Sequence, residues 1–117
     1  MVSPHHGDWA PERGDIVWLD FHPQAGHEQA GHRPALVISQ SAYNRTVGLA
    51  LFCPITSRAK GYPFEVSLPA GHKVRGVVLA DQVKSLDWRM RKAAPVSRVS
   101  APVIKEVLGK LGLLIGE

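Results

Sequence analysis

Gly26-His27-Glu28-Gln29-Ala30-Gly31-His32-Arg33-Pro34 runs directly into the apolar stretch Ala35-Leu36-Val37-Ile38. The first part is polar and rich in glycine, and it holds two histidines, a carboxylate and a guanidinium. The second part consists of four consecutive apolar residues, which predicts a strand that is buried on both faces. Binding and catalytic residues are often found on polar loops that a rigid scaffold holds in place. We therefore expect the functional site at this junction.

Further strand-like segments lie on both sides of the junction. Residues 15–21 alternate, so that Val17, Leu19 and Phe21 share one face of a predicted strand. Other strands are predicted at 48–55, at 62–68, at 74–80 and in a shorter segment that ends near Trp88. Pro54 indicates a sheet edge or a bulge, and it leaves Thr56 at the end of its strand.

The C-terminal segment predicts an amphipathic helix. Ser100 is suited to cap this helix, and Pro102 is tolerated in its first turn. Apolar residues follow at helical spacing, at Ile104, Val107, Leu108, Leu111, Leu114 and Ile115. Five or six antiparallel strands with a terminal helix indicate a mainly β fold of the α+β class, a small barrel-like sheet with helical cover. We expect one domain at 14–117 after a flexible N-terminal tail at 1–13.

Charge is unevenly distributed along the chain. Residues 1–32 hold one arginine and five acids, whereas residues 33–98 hold eleven lysines and arginines and three acids. A basic middle segment predicts an anionic partner, such as a nucleic acid or an acidic polypeptide. The alternative is a solvated basic face that has no partner.

Several classes of protein are disfavoured. No apolar run approaches the eighteen or so residues that cross a bilayer. Residues 1–14 lack an apolar h-region, so we do not expect them to be a secretory signal. Cys53 is the only cysteine and lies in an apolar run, which predicts a buried, inert thiol and a cytoplasmic protein. His22, His27 and His32 recur every five residues, a spacing that disfavours zinc, so neither a metal nor a cofactor is expected.

The residues best suited to chemistry are Glu28, His32, Arg33 and Thr56. They lie close to a basic segment with aromatic side chains, and this combination suits RNA, because rings stack on unpaired bases while cations contact phosphates. Cleavage by the 2′-hydroxyl of the strand needs a base, a group that stabilises the phosphate and an acid. Arg33 suits the phosphate, Thr56 can add a hydrogen bond, and Glu28 or His32 is the better proton acceptor.

Each of these residues also has a structural explanation. Arg33 could pair with a carboxylate, Thr56 could hydrogen-bond a turn, and His32 could orient a loop. Residue types alone do not decide between these alternatives and catalysis.

Five segments resemble the MazF/PemK/Kid toxin family in order and spacing. They are Gly14-Asp15-Ile16-Val17-Trp18, Glu28-Gln29-Ala30-Gly31-His32-Arg33-Pro34-Ala35, Pro54-Ile55-Thr56-Ser57, Lys60-Gly61-Tyr62-Pro63-Phe64-Glu65-Val66 and Ala80-Asp81-Gln82-Val83-Lys84-Ser85. The resemblance implies a homodimeric, SH3-like antiparallel β-barrel that cleaves single-stranded mRNA at a short sequence without a metal. The products would carry a 2′,3′-cyclic phosphate and a 5′-hydroxyl.

The resemblance also implies roles for individual residues. The catalytic arginine and threonine of the family correspond to Arg33 and Thr56, and its loop glutamate corresponds to Glu28. The RNA groove of the family, formed across the dimer, implies contacts from Phe21, His32, Ser57, Lys60, Gln82 and Lys84. A MazE-like antitoxin would place its acidic C-terminal tail on this groove.

The N-terminal tail and residues 92–100 depart from the family pattern, which leaves contacts with partners open. Two other functions also stay open. One is a poison that is not an enzyme, similar to the CcdB family that traps DNA gyrase, and the other is a plain RNA-binding module. The pair Arg33 and Thr56 favours an enzyme, since a protein that only binds does not need it.

Overall fold

The computed structural model describes residues 9–21 and 31–116. Within these residues the strands are β1 (Asp15–Asp20), β2 (His32–Val37), β3 (Leu49–Thr56), β4 (Glu65–Ser67), β5 (Val77–Leu79), β6 (Lys84–Asp87) and β7 (Ala94–Arg98). The helices are α1 (Ser41–Val47), α2 (Ala101–Ile115) and a single 3₁₀ turn at Ala80–Gln82. The prediction of a mainly β fold with a C-terminal helix is confirmed.

The strands form one antiparallel sheet. Its order is β4-β5-β3-β2-β1-β7, and β6 pairs with β3 as well. The two ends of this order, β4 and β7, do not pair with each other within the described residues. The sheet is therefore barrel-like without closing into a complete barrel.

The strands β1 and β2 contribute side chains to a core on each face of the sheet. Ile16 and Leu36 belong to one core, which α2 covers with Val103, Val107 and Leu111. The residues that alternate with Ile16 and Leu36 along the two strands belong to a second core on the other face. This core comprises Val17, Leu19, Phe21, Ala35, Val37, Ala50, Phe52, Leu86, Trp88, Ala10 and Ala93. The predicted two-sided burial of residues 35–38 is confirmed, and it makes β2 a rigid support.

The strand β3 lies in the middle of the sheet and not at its edge. It pairs with β6 through Leu49–Phe52 and with β5 through Ile55–Thr56, on the side away from β2. Pro54 lies between these two partners, where the N–H that proline lacks is not needed for the ladder on that side. Thr56 ends the strand, as predicted.

Two parts of the C-terminal region differ from the prediction. The strand β7 was not expected, and it pairs with β1 at the edge of the sheet. The apolar stripe of α2 ends at Leu111, since Leu114 and Ile115 are 49% and 74% exposed.

The predicted N-terminal tail includes residues that pack on the domain. Ala10 is buried, and the ring of Trp9 lies edge-on to Trp88 with centroids 5.5 Å apart. The Nε of Arg13 donates to the carbonyl of Ile38 at 2.7 Å. Residues 1–8 lie outside the described residues, whereas residues 9–13 of the predicted tail are described and include residues that pack on the domain.

Asn44 connects this N-terminal segment to the core. It is fully buried, and its Nδ2 donates to the carbonyls of Pro11 at 2.7 Å and Ser39 at 3.1 Å. Its Oδ1 accepts from the hydroxyl of Ser39 at 2.6 Å, and its backbone carbonyl accepts from Nε1 of Trp88 at 2.9 Å.

We expect Asn44→Ala to lower the free energy of unfolding by about 1–3 kcal/mol, because buried partners lose their hydrogen bonds. Urea denaturation measures this loss. Thr46→Ala, at an exposed position of the same helix, is the control and should change stability little. Equal stability of the two variants would contradict a structural role for the Asn44 side chain.

Candidate active-site cleft

Arg33 and Thr56 lie on neighbouring strands at the same end of the sheet. In the ladder between β2 and β3, Ala35 lies opposite Pro54. The same register continued by two residues brings Arg33 opposite Thr56 on one face. Both residues line a cleft of about 680 Å³. The fold thus brings together two residues that are 23 positions apart in sequence.

The cleft is polar and carries more positive than negative side chains. Its lining consists of Arg33, Thr56, Ser57, Arg58, Lys60, Tyr62, Phe64, Glu65, Leu79, Asp81 and Gln82. Three of these are cations and two are acids. A cleft of this composition is suited to a ligand that is both anionic and aromatic.

The hydroxyl of Thr56 is held in a defined orientation. The residue is only 7% exposed, and its Oγ1 accepts a hydrogen bond from the backbone N–H of Arg58 at 3.1 Å. This is the turn contact that the sequence left open as a structural explanation. Because the bond uses a lone pair of the oxygen, the O–H proton remains able to donate to a ligand. The structural contact and a functional role are therefore compatible.

Gly76 allows β5 to approach the backbone of Thr56. Its φ is +120°, and a Cβ on this residue would lie 2.1 Å from the carbonyl oxygen of Thr56 and 3.0 Å from the Cα of Ser57. The next residue, Val77, pairs with Thr56 in the ladder. Only glycine fits this contact, which fixes the end of β3 against β5.

The rim of the cleft between Lys60 and Glu65 is fixed by hydrogen bonds. The carboxylate of Glu65 accepts from the backbone N–H groups of Lys60 and Gly61, each at 3.0 Å. The Nζ of Lys110 on α2 donates to the carbonyls of Pro63 at 2.6 Å and Glu65 at 3.1 Å. The C-terminal helix thus supports the rim and also covers the core.

A second cleft of about 480 Å³ adjoins the first. It is lined by Trp18, Gly31, His32, Arg33, Pro34, Ile55, Ser57 and Arg75. The rings of Trp18 and His32 are stacked, with centroids 5.3 Å apart and planes 4° apart. Nδ1 of His32 also lies 2.8 Å from the carboxylate of Asp20. Arg33 and Ser57 belong to both clefts.

The structure brings most of the predicted site residues together. Arg33, Thr56, Ser57, Lys60 and Gln82 line the first cleft, and His32 lines the second. Lys84 lies on β6 opposite Phe52, away from the described lining of either cleft. Glu28 lies outside the described residues.

Phe21 does not lie in either cleft. Its side chain is fully buried in the second core, so its ring does not reach a ligand. The alternation of residues 15–21 already indicated this, because Phe21 shares a predicted face with Val17 and Leu19, which are buried. The predicted RNA contact from Phe21 is therefore inconsistent with its burial.

Other lining residues were not singled out as site residues from the sequence. Arg58 and Tyr62 flank Lys60 in the basic turn, and that turn was the available signal. Trp18 is an aromatic residue on the face of β1 opposite to Val17, a pattern that the sequence also shows. Arg75 carried no local signal, because its position depends on the contact between Gly76 and Thr56.

Cys53 takes no part in either cleft. Burial, together with the smaller effect of the nearby charge of Asp81, raises the pKa of its thiol to about 12. The thiolate is the nucleophilic form, so this cysteine is inert near neutral pH, as predicted.

Within residues 9–21 and 31–116, no group of three or more His, Cys, Asp or Glu side chains is placed to hold a metal ion. None of the helices in the described part of the chain has the length and apolar character to span a membrane.

Known proteins resemble this chain in sequence and in structure. Residues 12–115 match the family described as PemK-like, MazF-like toxin of type II toxin-antitoxin system. The endoribonuclease toxin MazF of Escherichia coli strain K12 is 47% identical over 108 residues, which cover 92% of this chain and 96% of that protein.

Solved structures agree with this match. The crystal structure of MazF (Form-I) from Deinococcus radiodurans has a TM-score of 0.90 and 60% identity, covering 94% of this chain and all 100% of that one. A chain in the crystal structure of MazE-MazF (Form-II) from the same organism has a TM-score of 0.84 and 60% identity, covering 93% and 98%.

We expect Gly76→Ala to destabilise the protein more than Gly71→Ala. Both positions have positive φ, so both variants carry backbone strain of about 1–3 kcal/mol. Only the Cβ at position 76 also meets backbone atoms, since nothing lies within 4 Å of a Cβ at position 71. Denaturant midpoints measure the difference, and equal midpoints would show that the approach of β5 to Thr56 is not constrained.

Proposed function

The chain belongs to the PemK-like, MazF-like toxin family of type II toxin–antitoxin systems, and on this premise we propose that it is an endoribonuclease toxin that cleaves single-stranded mRNA at a specific sequence. The observation that carries the proposal is the shared cleft of Arg33 and Thr56. The Escherichia coli relative is an endoribonuclease toxin by name. The cationic lining supports an RNA substrate.

In the proposed reaction, the scissile phosphate lies between Arg33 and Thr56. The guanidinium forms paired hydrogen bonds with phosphate oxygens and keeps its charge at any physiological pH. The hydroxyl of Thr56 donates to the same oxygens. The hydrogen bonds from both groups become stronger as negative charge accumulates on the phosphate oxygens in the transition state. Because they are held by strand ends, they need little reorganisation during the reaction.

The proposed cleavage exchanges one bond to phosphorus for another. The 2′-oxygen of the nucleotide before the break forms a bond to phosphorus while the bond from phosphorus to the 5′-oxygen breaks. A base takes the proton of the 2′-hydroxyl, and an acid gives a proton to the departing 5′-oxygen. The products are a 2′,3′-cyclic phosphate and a 5′-hydroxyl. Each role can be filled by a side chain, which supports a reaction that needs no metal.

His32 and Glu28 are the two candidates for proton transfer. Nδ1 of His32 faces the carboxylate of Asp20 at 2.8 Å, which favours the tautomer with its proton on Nδ1. Nε2 then carries the lone pair and can accept a proton. Glu28 is the candidate from the family motif and precedes His32 by four residues.

The same cleft is suited to bind a protein partner. In the Deinococcus radiodurans structure, MazF is combined with MazE. We infer that a MazE-like antitoxin places an acidic C-terminal tail on the cationic cleft and blocks RNA by occupying its phosphate contacts. The toxin would act as a homodimer in the cytoplasm, where its mRNA substrate is found.

The alternatives differ in what they require of the cleft. A CcdB-like poison or a plain RNA-binding module would bind its partner without needing the hydroxyl of Thr56 beside the guanidinium of Arg33. The proximity of these two groups therefore favours an enzyme over both alternatives.

We expect purified protein to cut single-stranded RNA in the presence of a chelator. Arg33→Ala and Thr56→Val should each slow cutting by about 10²-fold or more, because each removes a group that stabilises the transition state. Thr56→Ser, which keeps the hydroxyl, should retain much of the rate. Lys105→Ala, at an exposed position of α2, serves as the control.

The products are identified by the phosphatase resistance of the new 3′ end and by labelling of the new 5′-hydroxyl. If the wild-type protein leaves RNA intact with or without added metal, the enzymatic proposal is wrong. If the protein cuts RNA without the chelator but not in its presence, the metal-independent mechanism is wrong.

Salt should weaken RNA binding strongly. Three cations line the first cleft, and for a single strand each phosphate contact contributes about −0.7 to the slope of log K against log salt, so we expect a slope of about −2. RNA with a 2′-deoxy sugar at the cut site allows binding to be measured without cleavage. Arg58→Ala should make the slope less negative by about 0.7. A flat salt response would rule out phosphate contacts in this cleft.

A further inference from the structure

We propose that the second cleft holds a nucleotide that flanks the scissile phosphate, with its base stacked on Trp18 and His32 and its phosphate bound by Arg75. This inference rests on the proposed function and adds a substrate subsite to it. The structure supports it through three features of the cleft: its rings, its charge and its connection to Arg33.

The aromatic surface is already assembled without a ligand. Trp18 is 40% exposed although it lies on a strand whose neighbours Val17 and Leu19 are fully buried. The ring of His32 lies parallel to the indole at 5.3 Å, and the carboxylate of Asp20 holds Nδ1 of the imidazole at 2.8 Å. A flat base can extend such a stack with little rearrangement, because the two rings already lie parallel to each other.

The charge of the cleft fits a phosphate next to that base. Arg33 and Arg75 both line it, and none of the described residues in its lining is acidic. The nearby carboxylate of Asp20 is engaged with His32. An aromatic surface with two guanidinium groups matches a nucleotide, which presents a flat ring and an anion within one unit.

The position of Arg75 is fixed relative to the reacting groups. Arg75 directly precedes Gly76, whose backbone packs against the carbonyl of Thr56. On the other side, Arg33 and Ser57 line both clefts. An RNA strand whose scissile phosphate lies at Arg33 can therefore place one neighbouring nucleotide in the first cleft and the other in the second.

An acidic peptide is the competing occupant. It would satisfy the arginines with carboxylates, but it would not require parallel rings held by a third side chain. The preformed stack therefore favours a nucleobase. The two occupants differ in their dependence on Trp18, and this difference allows a direct test.

The test is a double-mutant cycle between the protein and its substrate. The cut sequence is first identified from a random RNA pool, and RNAs are then made with an abasic sugar at each position around the cut site. Cleavage rates at limiting substrate are compared for wild type, Trp18→Ala and Trp18→Phe. Tyr43→Ala removes an aromatic residue of similar exposure (45%) on α1 and serves as the matched control.

We expect Trp18→Ala to lower the rate on intact RNA about 5- to 150-fold, the range for loss of one stacked base. Trp18→Phe should retain most of the rate, and Tyr43→Ala should match wild type. At one position next to the cut, the abasic sugar should lower the wild-type rate by a similar factor. On that abasic RNA, Trp18→Ala should cause no further loss of rate. The position that shows this coupling identifies the nucleotide in the second cleft.

The other outcomes are decisive too. The subsite proposal would be overturned if the losses from Trp18→Ala and from the abasic sugar were additive at every position, or if Trp18→Ala kept full activity. Either result would leave the nuclease assignment intact. Failure of wild type to cut any RNA would overturn the proposed function itself, and the subsite with it. If Trp18→Ala weakens only the binding of an acidic antitoxin peptide, the second cleft belongs to that peptide, and the nucleotide assignment is wrong.

Discussion

The burial of β2 on both faces is the constraint from which the site follows. A strand that packs against a core on each side has no freedom to rotate or to shift by one residue, because either movement would expose apolar side chains. Arg33 stands two residues before the buried Ala35, at the point where the strand leaves the cores. The long arginine side chain therefore has a fixed origin, and this is what a phosphate contact needs in order to contribute to catalysis.

A second constraint fixes the part of the cleft around Thr56. Thr56 ends the central strand, and β5 approaches it so closely that only a glycine fits at position 76. The hydroxyl is oriented by the turn that follows, and Lys110 of α2 supports the rim beyond that turn. Helix and sheet thus hold different sides of one cleft, so a change in the packing of α2 reaches the site through the contact between Lys110 and the lining residue Glu65.

Hydrophobic patterns in the sequence correctly predicted the elements whose residues alternate or repeat within a short segment. The alternation of residues 15–21, the apolar run at 35–38 and the helix after Ser100 correspond to β1, β2 and α2. The strand β7 was missed because its short segment, with Pro95 within it, lacks a clear alternation and is stabilised by pairing with β1, far away in sequence. For the site, motif resemblance identified Arg33 and Thr56, but only the register between β2 and β3 makes them neighbours. Phe21 shows the opposite error, since a motif position suggested contact with RNA where the strand alternation already predicted burial.

Arg33 lines both clefts, which under the proposed function would link recognition to the reaction. If a flanking nucleotide seats in the second cleft, the strand is aligned so that the next phosphate meets Arg33 beside Thr56. A nucleotide that seats poorly shifts the phosphate away from both groups, and a displacement of about 1 Å is enough to slow such a reaction by about a hundredfold. Discrimination would then appear in the rate of the chemical step as well as in binding. Under the proposed function, a small protein would in this way select its cut site with few base contacts, because one guanidinium would serve both purposes.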